Sequence, residues 1–326
     1  MRAHFRQFLL RVMSFNCWIS GDMVEHGMDK IAKHILANDV DIVFLQEMSD
    51  NHIGWLLDRL GRDLWRACSR NGGTLNHIVT RQQIVTEFEP STAFLNNGCQ
   101  VQLFPPDDDF VINLWNVHLY SHKYGPYKAC SKLDPMRTAS DLWECEANPQ
   151  DKERSRIHSI FALNQHEPFA RLWREASLPN GIPLIVAGDF NAPSHLDWIE
   201  EAKHLHCGWT FEWPVSKFME RMGFVDSYRV VFPDPSRQRG ATWSAIYKDS
   251  TTEIINGRPE FEPQDRIDYI YYKSDRLLVL DSYVYSGPAK IHEFPNFFFN
   301  DWPSDHASVV TKFAWTDDAQ DFIERH

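Results

Sequence analysis

The sequence predicts an α/β fold in which two packed β-sheets are covered by helices. Short apolar runs of strand length recur along the chain and outnumber the segments with helical spacing. Helical segments separate only some of these runs, which favours two packed sheets over a doubly wound parallel sheet. No internal repeat, low-complexity tract or linker divides the 326 residues, so we expect residues 1–326 to form one domain.

The first half of the chain contains several strands and one clear helix. Residues 9–16 form an apolar run that is typical of a strand. Residues 28–38 carry apolar side chains at positions i, i+3 and i+7, which predicts a helix. The run DIVFLQ at residues 41–46 is almost entirely apolar, as in a buried strand. Further strands are predicted at residues 77–80, 99–104 and 110–118.

The second half continues the alternation of helix and strand. Residues 154–177 predict one long helix that begins in a charged stretch and ends before Pro179. Residues 183–188 read as another buried strand, and the remaining strands are predicted at residues 265–272, 276–285 and 308–313. Two further segments, residues 120–151 and 287–303, look like insertions, and long irregular segments in a compact domain are often functional loops.

Charge and cysteine content limit the function classes. The formal net charge is -12, which disfavours a protein that binds a nucleic-acid backbone, although acidic residues that hold metal ions lose that sign. No stretch is apolar enough to cross a bilayer and no leader is evident, so a cytoplasmic protein is favoured; secretion stays open if a leader was removed. The six cysteines look like ordinary thiols, with Cys130 and Cys145 the one pair worth testing for a bridge.

Polar side chains recur just past the ends of the apolar strands. Taken singly, a lone asparagine there is usually a turn former, and a lone glutamate or histidine is usually a solvated or satisfied side chain. The segments GDFN and SDH are more specific, because each places an acid at a strand end beside an amide or an imidazole. Carboxylates, amides and imidazoles suit a hard metal ion and a phosphoryl oxygen. These residues are Asn16, Glu47, His118, Asp189, Asn191, Asp268, Asp305 and His306.

The ordered motifs resemble those of the endonuclease/exonuclease/phosphatase superfamily. The motifs are SFN (14–16), LQE (45–47), NVHL (116–119), GDFN (188–191), RIDYI (266–270) and SDH (304–306). The resemblance runs from about residue 11 to residue 313 and implies a four-layer α/β/β/α sandwich with two mixed sheets, as in DNase I. It also implies hydrolysis of phosphoric esters with Mg²⁺ or Mn²⁺ as cofactor.

Carried over by position, the resemblance assigns a role to each motif residue. Glu47 would be the principal metal ligand, Asn16 would contact the metal or its water, and Asp305 would support a second metal position or the groups around the first. Asp189 would orient or deprotonate the attacking water, and Asn191 would hold that water or a phosphoryl oxygen.

The same resemblance assigns the histidines to the phosphoryl group. His118 and His306 would donate hydrogen bonds to its oxygens, and Asp268 would accept from His306 and fix its tautomer. The histidine of NVHL resembles the style of neutral sphingomyelinases and deadenylases. The segment before Asp268 lacks the tryptophan, cysteine and arginine signature of inositol-polyphosphate 5-phosphatases, which disfavours that subclass.

Two segments are candidates for setting the substrate. Residues 120–151 follow His118 directly, and their cationic side chains would receive a second phosphate or an acidic head group, unless they form a solvated loop. The aromatic residues before Ser304, including Phe298 and Trp302, would line an apolar or base-stacking wall, unless they plug the end of the sandwich. The cationic candidates are His122, Lys123, Lys128 and Arg137.

The leading functional hypothesis is a phosphodiesterase that acts on a small or lipid-linked phosphodiester. A nuclease or DNA-repair endonuclease with the same chemistry is the first alternative, and a phosphomonoesterase is the second. A non-catalytic binding module on this scaffold is the hypothesis from a different class, and it is disfavoured because every expected polar position is filled. The sequence leaves the oligomeric state open.

Overall fold

The computed structural model of the protein describes residues 8–68, 75–90, 96–103, 110–147, 155–255 and 257–315. The first sheet contains β1 (Phe8–Asn16), β2 (Ile42–Gln46), β3 (Arg66–Cys68), β4 (His77–Thr80), β13 (Leu277–Tyr285) and β14 (Ser308–Trp315). Its strand order is β13-β14-β1-β2-β4-β3, and β1 is parallel to β2 while the other neighbours are antiparallel. The predicted strands at residues 9–16, 41–46, 77–80, 276–285 and 308–313 are all confirmed to within two residues at each end.

The second sheet contains β5 (Gln83–Glu87), β6 (Asn97–Gln102), β7 (Val111–His118), β8 (Leu184–Asp189), β9 (Val225–Asp226) and β12 (Asp268–Lys273). Its order is β5-β6-β7-β8-β12-β9, with β7 parallel to β8. A separate hairpin is formed by β10 (Asp249–Ile255) and β11 (Arg258–Phe261). The predicted end of one strand, Phe104, lies outside the described residues.

Eight α-helices lie in the described part of the chain. They are α1 (Gly27–Ala37), α2 (Asp50–Leu60), α3 (Gly125–Cys130), α4 (Asp141–Ala147), α5 (Arg156–Gln165), α6 (Glu167–Ala176), α7 (Pro214–Arg221) and α8 (Ser227–Val231), with short 3₁₀ helices at Ile19–Gly21 and Glu200–Leu205. None of the described helices is both long and apolar enough to cross a lipid bilayer.

Alternating side chains along the strands build a four-layer α/β/β/α sandwich. On β1, Val12 faces the other sheet, whereas Met13 faces the helices α1 and α2. On β8, Ile185 faces the layer between the sheets, whereas Val186 packs under α5, α6 and α7. The predicted fold class, two packed mixed sheets flanked by helices, is confirmed.

Two local predictions were wrong. Residues 154–177 form two helices, because Pro168 in a continuous helix would clash with the carbonyl of residue 164, and His166 leaves the helical region with ψ 116°. Arg154, the predicted helix start, lies outside the described residues. The first insertion is not irregular, since α3 and α4 occupy much of its described part, and its residues 148–151 are not described.

The cysteines also differ from the expectation. Cys130 forms a disulfide with Cys207, 77 residues away, so these two cysteines are not ordinary thiols. A disulfide between Cys130 and Cys145, the candidate pair from the sequence, is not formed. Cys145 is a free, partly buried thiol. The disulfide ties the end of α3, near the start of the first insertion, to the segment after the second 3₁₀ helix.

We expect Cys207→Ser to lower the free energy of unfolding by about 2–4 kcal/mol under oxidising conditions, because the bridge closes a long loop in the unfolded chain. Urea unfolding followed by circular dichroism measures this loss. Cys145→Ser is the matched control, since it removes an unbridged thiol. Equal unfolding midpoints for the two variants would argue against the bridge.

Candidate active site

The predicted polar residues meet where strands of the two sheets end side by side. Asn16 ends β1 and Glu47 follows β2, its parallel neighbour. His118 and Asp189 are paired at the ends of the parallel strands β7 and β8. Asp268 begins β12, which runs antiparallel to β8, so it is also paired with Asp189. The topology therefore brings residues separated by up to about 250 positions to one edge.

Gly188 makes this arrangement possible. A side chain at this position would place its Cβ only 1.8 Å from the carbonyl oxygen of Val117, and the residue has φ +147°. Only glycine allows β8 to approach β7 this closely just before Asp189. The need for close contact between β7 and β8 therefore explains why the motif GDFN has glycine at this position.

Asn16 links the two sheets at the site. Its Nδ2 donates to Oε1 of Glu47 at 3.2 Å and to Oδ2 of Asp189 at 3.0 Å. Its Oδ1 accepts from the backbone N–H of Trp18 at 3.0 Å. One buried amide therefore fixes the separation of two carboxylates that belong to different sheets.

The two neighbouring loops after β1 and β2 both contain unfavourable backbone conformations. Glu47 itself has φ +56°, and Trp18, Ile19 and Ser20 have φ between +44° and +60°. The backbone N–H of Ile19 donates to Oε2 of Glu47 at 3.0 Å. A run of left-handed non-glycine residues, one of them β-branched, is costly and is typical of functional sites.

His306 and Asp268 form a buried hydrogen-bonded pair. Nδ1 of His306 lies 2.9 Å from Oδ2 of Asp268, and its Nε2 lies 3.8 Å from Oδ2 of Asp189. The backbone N–H of His306 donates to Ser304 Oγ, which in turn donates to the carbonyl oxygen of Asn16. The imidazole therefore has a fixed orientation relative to both sheets.

A second imidazole faces the same carboxylate. His118 Nε2 lies 3.6 Å from Oδ2 of Asp189. Asn191, with φ +49°, donates its backbone N–H to Oδ1 of Asp189 at 2.8 Å and its Nδ2 to the carbonyl oxygen of Leu119 at 2.9 Å. Asp189 is thus surrounded by two imidazoles and one amide N–H in addition to Asn16.

Burial and neighbouring charges shift the pKa values of these groups. Burial, followed by the charge of Asp268, raises the pKa of Asp189 to about 6, against the opposing effect of the two imidazoles. Burial lowers the pKa of His306, but the charges of Asp268 and Asp189 outweigh this and raise it well above its usual value. At neutral pH the pair favours an ionised Asp189 beside a protonated His306.

The donor set fits a divalent cation. Asp305 is buried, its Oδ1 has no hydrogen-bond partner among the described residues, and burial raises its pKa to about 7. Together with Glu47, Asp189 and Asp268, Asp305 makes four carboxylates at the site. In the described part of the site, only two imidazoles, those of the site histidines, are present to balance their negative charge. Three possible ligand atoms, one from each of Asp189, Asp268 and His306, also lie within 4.8 Å of one another. Such a concentration of carboxylate oxygens suits a hard divalent cation.

A pocket of about 280 Å³ is lined by Glu47, Asp189, Asp305 and His306. Among its described lining residues are four aromatic side chains that the sequence analysis did not single out as site residues. Two of them, the tyrosines, could have been found from the sequence, because they lie in the insertion that follows His118. Only the cationic residues of that insertion were proposed to bind substrate. The four are Trp18, Tyr124, Tyr127 and Trp243.

The predicted substrate-binding cations do not line this pocket. His122 is exposed and stacks on Tyr120 at 4.9 Å, and Lys128 forms an ion pair with Asp134. Lys123 and Arg137 are exposed. The carbonyl oxygen of Lys123 accepts a hydrogen bond from Arg156 of α5, and the N–H of Arg137 donates to Asp141.

The predicted aromatic wall before Ser304 is divided between core and surface. Trp302 is 1% exposed and stacks on Phe15 at 4.7 Å, so it packs into the end of the sandwich. Phe298 is half exposed and is absent from the lining of the pocket.

Comparison with known proteins gives concordant results. A model described as the endonuclease/exonuclease/phosphatase family matches residues 13–306. An uncharacterized protein of Caenorhabditis elegans is 35% identical over 312 residues, which cover 94% of this chain and 91% of that protein. A family protein from Bacteroides thetaiotaomicron has a TM-score of 0.54 at 14% identity, covering 96% of this chain and 97% of that one. D. rerio TDP2, complexed with a single strand DNA product, has a TM-score of 0.51 at 15% identity, with 94% and 98% covered.

Proposed function

The chain belongs to the endonuclease/exonuclease/phosphatase family, whose members are generally phosphoester hydrolases, and from this premise we propose that it is a divalent-metal-dependent phosphodiesterase. Its substrate is a small or lipid-linked phosphodiester, and residues 1–326 form one catalytic domain. The observation that carries the proposal is the meeting of four carboxylates, two imidazoles and two amides from separate motifs. Five of these side chains line one pocket, and the other three contact Asp189 or His306 from outside its lining.

The metal is assigned to the side of the site that lies on the first sheet. Glu47, Asn16 and Asp305 would hold Mg²⁺ or Mn²⁺, because Asp268 and His306 are hydrogen-bonded to each other. When bound, the ion neutralises phosphoryl charge and lowers the pKa of water.

The remaining groups carry out the hydrolysis. Asp189 accepts a proton from water as the water oxygen forms a bond to phosphorus. Protonated His306 donates a hydrogen bond to the phosphoryl oxygens, where negative charge develops, and the imidazole of His118 donates a second one. Asn191 holds the attacking water or an equatorial phosphoryl oxygen. The ester P–O bond breaks, the departing alcohol takes up a proton, and a phosphomonoester is the second product.

Cleavage of nucleic acid is the second candidate, since the structural neighbour TDP2 is complexed with a DNA product. The described lining of the pocket contains no lysine or arginine, which favours a substrate with a single phosphate over a polyanion or a dianionic monoester. A panel with Mg²⁺ and Mn²⁺ tests this ranking: a generic phosphodiester, a generic phosphomonoester, DNA, RNA and sphingomyelin. Rates on nucleic acid far above all others would reverse it.

Glu47→Gln should raise the Mg²⁺ concentration for half-maximal activity by about tenfold or more, because an amide binds a hard cation less well than a carboxylate. The measurement is a Mg²⁺ titration of phosphodiester hydrolysis. Glu201→Gln, an exposed acid outside the site, is the control and should leave the titration unchanged. An unaltered Mg²⁺ dependence in Glu47→Gln would refute its role as ligand.

A further inference from the structure

One wall of the pocket is aromatic and lies directly beside the catalytic histidine. The ring of Trp243 is 4.9 Å from that of His306, and the backbone of Trp243 forms bridges with both His306 and Asp265. Tyr124 and Tyr127 come from α3 and its N-cap, with ring centroids 5.2 Å apart. A group attached to a phosphate at the site would therefore meet these rings.

The polar ends of the three rings are already engaged by buried carboxylates. Tyr127 Oη donates to Oε1 of Glu262 at 2.5 Å, and Trp243 Nε1 donates to the same oxygen at 3.1 Å. Tyr124 Oη donates to Oδ2 of Asp265 at 3.3 Å. Glu262 is 5% exposed and Asp265 is 2% exposed, so both acids lie behind the aromatic wall. The rings are left to offer their apolar faces and edges to the pocket.

Carboxylates outnumber cationic side chains around this wall, and His306 at its edge is assigned to the phosphoryl oxygens. Two carboxylates stand behind it, and the described lining of the pocket has no lysine or arginine. Lys128 and Lys132, which lie nearby in sequence, are paired with Asp134 and Glu260. Electron-rich rings backed by buried negative charge attract organic cations, and they offer nothing to a second phosphate.

We propose that Tyr124, Tyr127 and Trp243, oriented by Glu262 and Asp265, form a subsite for an organic cation of the quaternary-ammonium type carried by one alcohol group of the phosphodiester. This subsite rests on the proposed phosphodiesterase function and narrows its substrate class. Glu262 and Asp265 are positioning residues that also contribute charge.

A matched pair of substrates tests the subsite. The p-nitrophenyl ester of phosphocholine and its isostere, p-nitrophenyl 3,3-dimethylbutyl phosphate, differ by the exchange of a charged nitrogen for a neutral carbon. We expect kcat/KM to favour the cationic ester by about tenfold to thirtyfold, in line with a partly desolvated cation–π contact. A ratio near one would overturn the proposal, as would a stronger preference for the p-nitrophenyl ester of thymidine 5′-phosphate, which would indicate base stacking.

Variants locate the preference. Tyr127→Leu should bring the ratio of kcat/KM values to within about threefold of one, and Glu262→Gln should reduce it while keeping the hydrogen-bond acceptor. Trp55→Leu removes an exposed aromatic ring from α2, away from the pocket lining, and should leave the ratio unchanged. An unchanged ratio of kcat/KM values in Tyr127→Leu would show that the Tyr127 ring does not contact the cation.

Binding of tetramethylammonium, followed by saturation-transfer NMR, separates the two proposals because it needs no turnover. If no ester is hydrolysed but Tyr127→Leu abolishes this binding, the cation subsite stands and the proposed function fails. If diesters are hydrolysed without preference and tetramethylammonium does not bind, the subsite fails alone.

Discussion

Asp189→Asn should slow phosphodiester hydrolysis by roughly 10²- to 10⁴-fold, because it removes the group that accepts the proton of the attacking water. The asparagine side chain has the same shape but only one acceptor oxygen, so it keeps the hydrogen bond from Asn16 or the one from the N–H of Asn191 and loses the other. The charge repulsion from Asp268 is relieved at the same time. Turnover at saturating substrate and Mg²⁺ is the measurement, and the thermal unfolding midpoint should change little.

Asp63→Asn gives the matched control, since Asp63 is exposed and lies beyond the C-terminal end of α2. It makes the same change of charge without touching the site, and its turnover should equal that of the natural protein. Near-normal turnover in Asp189→Asn would exclude Asp189 as the base and would make His118, which lies 3.6 Å from it, the next candidate to test.

His306→Ala should lower turnover by about 10²- to 10³-fold, because a hydrogen-bond donor to the phosphoryl oxygens is lost. Asp268→Asn should have a smaller effect in the same direction, since its carboxylate fixes and charges the imidazole. Because Asp268 acts through His306, the double variant should be no slower than His306→Ala alone. Turnover of the four proteins, measured as one cycle, tests this.

Additive losses in that cycle would show that Asp268 has a separate function, such as holding a metal ion together with Asp189. His204→Ala is the control for loss of a histidine, because His204 is exposed and outside the pocket. Its turnover should be unchanged.

The sheets and the meeting of the motif residues were predictable because both depend on local pattern. Apolar runs of strand length identified most strands of both sheets, and an acid directly after such a run, as at Asp189, belongs to a strand end. The break between α5 and α6 was also visible as Pro168, but the helical spacing on either side concealed it. Short or half-exposed strands such as β3, β5 and β9 carry too weak a pattern to be recognised.

Features that depend on distant pairing were not predictable from one sequence. The bridge from Cys130 spans 77 residues, and spacing alone does not determine the connectivity of cysteines. The hydrogen bond from Tyr127 to Glu262 spans 135 residues, so neither side chain alone marks the aromatic wall. Cationic residues in the insertion drew attention by their charge, yet it is the tyrosines beside them that line the pocket.

The amide of Asn16 has a consequence for the whole interior. It connects groups that belong to opposite sheets, so the distance from Glu47 to Asp189 depends on how far apart the sheets stand. That distance is set by the apolar side chains in between, such as Leu114 and Ile185, which lie away from any substrate. Enlarging or shrinking these residues would displace Asp189 relative to Glu47. Under the proposed function, the catalytic rate would therefore depend on how the interior is packed.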